Sequence, residues 1–205
     1  VSSLIGIALL LSCVVPGVMF LSIYTKRDVR FVASEWVYTH IPSGSYVLSE
    51  TANVIDIPIP DVRNKGQIPD GFNIQYLSFN SYEVDVDQAL QSNLKDAIAQ
   101  ADYIFVPSRR VFYNHTCVDL TGKITTTRHS KEKCAYLART YPVLKSYYED
   151  LFSGKSGFTQ VAVFTSYPRI QLFEETIFES PDEPAEETST VFDHPVMRIY
   201  KKSTQ

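Results

Sequence analysis

Residues 74–107 decide the fold class, and their sequence is IQYLSFNSYEVDVDQALQSNLKDAIAQADYIFVP. Both ends of this stretch, Ile74–Phe79 and Tyr103–Pro107, are short apolar runs of the kind that forms buried strands. Between them, leucine, isoleucine and alanine recur at helical spacing, which predicts a helix from about Asp85 or Asp87 to Gln100. A strand–helix–strand unit of this kind predicts parallel strands joined by a right-handed crossover. We therefore predict an α/β domain.

Further segments extend this unit into a mostly parallel sheet flanked by helices. The last strand, Val196–Tyr200, is expected to pair antiparallel with Val161–Phe164 and to form an antiparallel C-terminal hairpin with it. The acidic segment Glu174–Glu187 contains two prolines and is expected to be a solvated loop. Other strands are predicted at 45–50 and 160–166, other helices at 28–40, 131–138 and 141–152, and a loop at 51–73.

The N-terminal segment has the composition of a transmembrane helix. Ser2–Tyr24 contains no charged residue and as a helix would be roughly 34 Å long, which exceeds the bilayer core of about 30 Å. A signal peptide would have a basic start and a shorter apolar core. We predict a transmembrane helix over residues 1–25 and one folded domain over 26–205. Because the chain begins at Val1, we expect it to be a piece of a longer protein.

Composition and motifs exclude several functions. The formal net charge is −4, and no basic cluster is interleaved with aromatic residues, which argues against nucleic acid as a partner. The sequence has no glycine-rich phosphate loop and no GxSxG nucleophile motif. We therefore expect no cofactor and no catalytic residue within this chain.

Local features disagree about which side of the membrane carries the domain. Three basic residues directly follow the apolar segment: Lys26, Arg27 and Arg30. By the positive-inside rule they would place the folded domain in the cytoplasm. A possible disulfide between Cys117 and Cys134, and an Asn114-His115-Thr116 sequon, point to the opposite side. Composition alone leaves the side open.

The cysteine pair has three possible states. Cys117 and Cys134 could form a disulfide, remain free thiols, or bind zinc together with His115 and His129. Zinc sites usually contain two pairs of ligands with at least two residues between the members of each pair, whereas His115 and Cys117 have only one residue between them. The spacing favours the disulfide, and we expect no metal.

Charged residues follow the second and third predicted strands. Glu83 and Asp85 follow one strand, and Arg109 and Arg110 follow the other. Because the carboxyl ends of parallel strands meet at one edge of a sheet, these four residues are candidates for contact with a ligand or acceptor. The alternatives are a helix cap for the carboxylates and a solvated loop for the arginines.

Asp193-His194-Pro195 suggests either a general base or a turn. Pro195 favours a turn before an edge strand, since no nucleophile can be assigned to the pair.

Several stretches resemble the extracytoplasmic tail of a known family. RFVASEWVYTHIPSGSYVLSE (30–50) is similar to the segment that follows the last membrane helix of polytopic glycosyltransferases. These enzymes use lipid-phosphate-linked sugars and include protein O-mannosyltransferases and the aminoarabinose transferases of lipid A. Further stretches of the same resemblance are ADYI (101–104), YYE (147–149), FTSYP (164–168) and VFDHP (191–195).

The resemblance implies a non-catalytic C-terminal domain that lies outside the cytoplasm and is held in the cell membrane. The catalytic acidic residue would lie upstream of this chain. The implied partners are membrane lipid, the upstream transmembrane helices of the same protein, and a lipid-linked sugar or its acceptor. A second group of polytopic membrane proteins has similar tails, so an interaction module of a non-enzymatic protein is the alternative.

Overall fold

The computed structural model describes residues 2–50, 56–58, 72–173 and 175–203. The described strands form a five-stranded sheet and a separate two-stranded sheet. The strands are β1 (Tyr46–Ser49), β2 (Gln75–Ser78), β3 (Tyr103–Val106), β4 (Phe158–Phe164), β5 (Arg169–Leu172), β6 (Glu175–Glu179) and β7 (Met197–Lys202). The α-helices are α1 (Ser2–Leu21), α2 (Val29–His40), α3 (Gln88–Gln100), α4 (Arg110–His115), α5 (Lys131–Thr140) and α6 (Pro142–Ser153).

The main sheet has the order β2-β1-β3-β7-β4. Strand β1 is parallel to both of its neighbours, whereas β7 runs antiparallel to β3 and to β4. Four of the five strands therefore point the same way, which confirms the predicted mixed α/β fold. The two strands of the predicted strand–helix–strand unit, β2 and β3, are parallel but not adjacent, because β1 lies between them.

The position of β7 differs from the sequence-based expectation. The predicted antiparallel pairing with β4 is confirmed, with Ala162 opposite Ile199 and Phe164 opposite Met197. The prediction of an edge strand is wrong, because β7 lies between β3 and β4. Pro195 permits this position because it precedes the strand and removes no hydrogen bond from the ladder. The two strands are also not a simple hairpin, since β5 and β6 lie between them in the chain.

Helices cover both faces of the main sheet. The side chains of β1 alternate, so that Leu48 belongs to a core cluster with residues of α3, α4 and α6. Val47 points to the opposite face, where it packs with Ala33 and Val37 of α2. Trp36 of the same helix is half-buried against this second cluster. Burial on two faces explains the near-continuous apolar character of these strands.

Helix α1 is the apolar N-terminal segment. It contains 20 residues, with Pro16 inside, and is about 30 Å long. An 18-residue window of this segment has a mean hydropathy of 2.3. Among the described residues, it is the helix that is long and apolar enough to cross a membrane. The chain leaves it through a 3₁₀ turn at Ser22–Thr25, and Asp28 then caps α2 by accepting a hydrogen bond from the amide of Arg30.

The acidic segment is ordered, which corrects the prediction of a solvated loop. Residues Glu175–Glu179 form β6, which pairs antiparallel with β5. Between its two terminal glutamates, β6 contains threonine, isoleucine and phenylalanine, which favour a strand. The acidic residues around them dominate the composition of the whole segment. Residues 182–187, which we name the acidic strap, are held by ion pairs of Glu187 with Arg110 and of Glu183 with Arg198, and by a contact between Asp182 and His194. Helix α4 was also not predicted.

A disulfide joins the segment after α4 to α5. Cys117 and Cys134 are bonded, with their Cα atoms 5.6 Å apart, which confirms the predicted pairing. Both cysteines are buried and pack with Leu137 in a small cluster of their own. Because both sulfurs are bonded to each other, they are neither free thiols nor ligands of zinc.

Replacing both cysteines, as Cys117→Ser with Cys134→Ser, should lower the free energy of unfolding by about 3 kcal/mol, because the bond closes a loop of this length in the unfolded chain. Urea unfolding in detergent measures the change. Cys13→Ser is the matched control, since this exposed cysteine is free. Unchanged stability of the double variant, or two free thiols in non-reducing peptide maps, would contradict the prediction.

Candidate functional site

The carboxyl edge of the sheet is the edge at which α1 joins the domain. Because β7 is antiparallel to the other strands, its first residues lie at the carboxyl ends of β3 and β4. There the hydroxyl of Tyr24 donates to Asp193 Oδ2 at 3.0 Å. The amide of Arg169, which follows β4, donates to Ser22 Oγ at 3.0 Å. The loops that follow the parallel strands therefore lie on the side of the sheet where the apolar helix ends.

The two candidate carboxylates after β2 have different environments. Asp85 accepts the amide of Val143 at 2.7 Å and that of Leu144 at 3.2 Å. It thereby caps α6, whose first turn has no side-chain cap of its own. Glu83 is exposed and accepts a hydrogen bond from Asn80 Nδ2 at 3.1 Å. The helix-cap alternative thus describes Asp85, although the capped helix is distant in sequence.

Arg109, the first candidate arginine, is buried beneath the acidic strap. Its Nη2 donates to the carbonyl of Ala185 and to Thr190 Oγ1, both at 2.8 Å. The guanidinium also stacks on the ring of Tyr113, with its central carbon 4.1 Å from the ring centroid. These contacts hold the strap and the π-helix that follows it (Thr188–Asp193) against the end of β3.

Two further arginines bind strap carboxylates. Arg110 Nε lies 3.1 Å from Glu187 Oε1. Arg198, in the interior strand β7, donates to both oxygens of Glu183, at 2.7 and 2.6 Å. Only 4% of the Arg198 side chain is exposed, so this bidentate pair is largely desolvated. Arg198 was not among the predicted site residues, although a charged residue inside an apolar strand is a sign of a buried ion pair.

The Asp193-His194 pair does not form an acid–base dyad. His194 is buried, and its Nε2 lies 3.0 Å from Asp182 Oδ2 of the strap. Asp193 instead accepts the hydroxyl of Tyr24. Asp193 ends a π-helix rather than lying in a simple turn, and the two side chains have separate partners, so they do not form the pair that the general-base alternative requires.

The acidic strap therefore engages most of the basic residues at this edge. Arg109 and Arg110 have structural partners, and Asp85 holds a helix. The four candidate residues do lie at the carboxyl edge, but they do not share contacts. Asp85 caps α6, Glu83 is exposed, and the two arginines hold the strap. Contact of Glu83, Asp85, Arg109 and Arg110 with a ligand or acceptor stays a prediction.

A buried carboxyl lies directly after β1. Glu50 Oε1 accepts the hydroxyl of Tyr147 at 2.9 Å, and Oε2 accepts that of Tyr148 at 2.8 Å. Burial raises the pKa of Glu50 to about 8, although the two hydroxyls and the charge of Arg198 favour its ionised form. Burial and the nearby carboxylate also raise the pKa of Tyr148 well above its ordinary value. At neutral pH this carboxyl is therefore largely protonated.

Each half of this cluster has a weak signal in the sequence. Glu50 is a carboxylate at the end of a short apolar strand, and Tyr147-Tyr148 lies on the buried face of an amphipathic helix. Pairing across nearly one hundred residues is set by the tertiary fold, so neither segment alone indicates the contact.

A second carboxylate lies on the opposite face of the sheet. Asp56 accepts hydrogen bonds from Ser49 Oγ at 2.6 Å, from Ser78 Oγ at 3.0 Å and from the hydroxyl of Tyr76. Burial raises the pKa of Asp56 despite these donors. The contacts attach residues 56–58 to β1 and β2, whereas most of the predicted loop at 51–73 lies outside the described residues.

The remaining histidines have local partners. His129 Nε2 lies 3.3 Å from the carbonyl of Tyr113, and His115 Nδ1 lies 3.0 Å from that of Val111. In the described part of the chain, no group of three or more histidine, cysteine, aspartate or glutamate residues could hold a metal ion.

Comparison of the chain with protein-family models, curated proteins and solved structures gives no match in any of the three.

Replacing Glu50 with glutamine should remove a pH dependence of stability. Between pH 4.5 and about 8 the unfolded chain releases this proton while the folded chain retains it, so wild-type stability falls as the pH rises. The fall is on the order of 4 kcal/mol by this linkage. Glu50→Gln should show a much smaller loss in urea unfolding at pH 5 and pH 8. Glu149→Gln, in the same helix as the two tyrosines, should behave like the wild type. If Glu50→Gln and the wild type lost the same free energy of unfolding between pH 5 and pH 8, the raised pKa of Glu50 would be contradicted.

Removing Arg198 should destabilise the domain because it leaves Glu183 half-buried without a partner. Arg198→Met is expected to lower the free energy of unfolding by about 3 kcal/mol, and adding Glu183→Gln should recover part of that loss. Urea unfolding of Arg198→Met, of Glu183→Gln and of the double variant measures the coupling energy. Arg139→Met, at an exposed position of α5, is the matched control. Simple addition of the two single losses would show that the pair is not coupled.

Proposed function

We propose that this chain is the non-catalytic C-terminal domain of a membrane glycosyltransferase that moves a sugar from a polyprenyl-phosphate donor to an acceptor. In this proposal α1 crosses the membrane and the α/β domain lies outside the cytoplasm. The catalytic residue belongs to an upstream loop. The carboxyl edge of the sheet covers the membrane-embedded cavity and positions the acceptor.

The junction of α1 with the carboxyl edge is the observation that carries this proposal. Asp193, which precedes β7, bonds to Tyr24, and Arg169, which follows β4 and begins β5, bonds to Ser22, so both contacts lie directly after the apolar helix. Open α/β sheets bind ligands outside the carboxyl ends of their strands. With α1 in a bilayer, this edge is the part of the sheet nearest the lipid. A ligand there would meet both the membrane and the domain.

The disulfide supports the extracytoplasmic side. Bonds such as Cys117–Cys134 persist in oxidising compartments and are rare in the cytosol. This observation weighs against the positive-inside argument, which rests on Lys26, Arg27 and Arg30.

Contacts between the quoted motifs also support the proposal. The segment 30–50 ends in Glu50, and the motif at 147–149 supplies the two tyrosines that bind this carboxyl. The motif at 191–195, which includes the end of the π-helix, contacts the strap through His194. Three stretches of the resemblance therefore stabilise the same edge of the sheet, as expected for a structural tail.

A groove between α3 and α6 favours the alternative function, an extracytoplasmic interaction module of a non-enzymatic polytopic membrane protein. The groove has a volume of about 500 Å³, and its wall is mostly apolar. Residues that line it include Leu94, Ile98, Ile104 and Val143. An open apolar groove of this kind is suited to an apolar segment of a partner.

Kinetics of the full-length protein in detergent test the proposal. With a polyprenyl-phosphate sugar as donor, Glu83→Ala and Arg110→Ala should raise the KM for the acceptor several-fold while the KM for the donor stays unchanged, because only acceptor positioning is removed. Lys155→Ala is the matched control, since this exposed residue follows α6, which runs antiparallel to the strands and ends at the opposite edge.

Absence of sugar transfer by the full-length protein would reject the transferase and leave the interaction module. Equal activity of the wild type and of a protein truncated before Asp28 would show that the domain is not needed for positioning. Equal effects of the edge variants and their control would assign the loss to general destabilisation.

A further inference from the structure

The β5–β6 hairpin is an amphipathic ribbon. Two of its rungs are polar, since Arg169 lies 3.7 Å from Glu179 and Gln171 Nε2 donates to Thr176 Oγ1 at 3.2 Å. The intervening rungs place Ile170 opposite Phe178, and Leu172 opposite Glu175. Successive rungs of a ribbon point to opposite faces. One face therefore carries the bonded polar groups, and the other is mostly apolar.

The apolar face of this hairpin is left open. Leu172 is 59% exposed and Phe178 is 53% exposed. Ile177, the extra residue at the bulge in β6, is 60% exposed, and Phe173 at the turn is 95% exposed. Such a concentration of large exposed apolar side chains on a short ribbon marks an interaction surface.

The base of the hairpin is attached to the end of α1. Strand β5 contacts both α1 and the 3₁₀ turn that follows it. The amide of Arg169 donates to Ser22 Oγ at 3.0 Å. The open apolar face thus lies beside the point where the apolar helix leaves the bilayer in the proposed arrangement.

Basic residues surround the same base. Lys26, Arg27 and Arg169 line a cavity of about 530 Å³ together with apolar residues of α2 and β4. Lysine and arginine at the end of a membrane helix lie at the level of the lipid phosphates. With α1 in a bilayer, Lys26, Arg27 and Arg169 would lie at the level of the lipid phosphates. The hairpin beside them would then lie at the boundary between headgroups and acyl chains.

We propose that the β5–β6 hairpin lies in the bilayer interface, with the apolar face formed by Ile170, Leu172, Ile177 and Phe178 against the acyl chains. This inference rests on the proposed crossing of the membrane by α1. Glu175 shares the apolar face at the open end of the ribbon, and the ribbon has unpaired strand edges. Both features restrict the hairpin to the interface, because neither is tolerated in the hydrocarbon core.

The hairpin adds a second contact with the membrane beside the helix. A single helix leaves the domain free to rotate about the helix axis, whereas a second contact restricts this rotation. The carboxyl edge then keeps one orientation toward the lipid, which gives the hairpin a function in positioning the domain.

Tryptophan quenching by lipids brominated on their acyl chains tests this placement in vesicles that contain the full chain. The natural tryptophan is first removed as Trp36→Phe. Single tryptophans are then introduced as Leu172→Trp on the apolar face and as Gln171→Trp on the polar face. Val14→Trp in α1 reports the membrane crossing, and Thr159→Trp at the opposite edge of the sheet reports a position in water. Urea unfolding checks the fold of each variant.

Leu172→Trp should lose emission roughly twofold in brominated vesicles, as an interfacial side chain does, while Gln171→Trp and Thr159→Trp lose little. Strong quenching of Val14→Trp together with weak quenching of Leu172→Trp would overturn the hairpin proposal and leave the anchor intact. Weak quenching of Val14→Trp would reject the membrane crossing and the hairpin placement with it. Blue-shifted but unquenched emission from Leu172→Trp would show that protein covers this face, and would also overturn the proposal.

Discussion

The ion pair between Arg198 and Glu183 is the interaction on which the arrangement of the carboxyl edge depends. Arg198 occupies an interior strand and is almost fully buried, so it requires a carboxylate within the fold. Glu183 meets this requirement only if the acidic strap crosses the edge of the sheet. Once the strap is there, its backbone and remaining carboxylates are within reach of Arg109, Arg110 and His194. One desolvated charge thus explains why a segment with the composition of a solvated loop is ordered.

Sequence patterns predicted the elements with strong periodicity. The apolar helix, α3, α6 and the strands of the main sheet follow from hydrophobic spacing, and the Cys117–Cys134 bond follows from an isolated cysteine pair. At the candidate site, the position of Glu83, Asp85, Arg109 and Arg110 after parallel strands was predictable for the same reason. Local pattern determines which residues end a strand, and parallel topology then brings those ends to one edge.

Contacts between distant segments could not be predicted in this way. Asp85 caps a helix that begins 57 residues later, and Glu50 binds tyrosines about one hundred residues away. The position of β7 between β3 and β4 depends on how the buried faces of the three strands pack. The hydrophobic pattern of a single strand does not specify this packing. The β5–β6 hairpin was missed because its glutamates dominate the composition, whereas its apolar residues become visible as a face only after the register is known.

The interior position of β7 has a consequence for biosynthesis. Strands β3 and β4 are neighbours only through β7, which enters the sheet from residues 197–202. While the chain emerges from a ribosome or translocation channel, β3 and β4 would each present an unpaired edge until this strand arrives. Exposed edges of that kind invite incorrect pairing between chains. The main sheet can therefore close only after residues 197–202 have been translated.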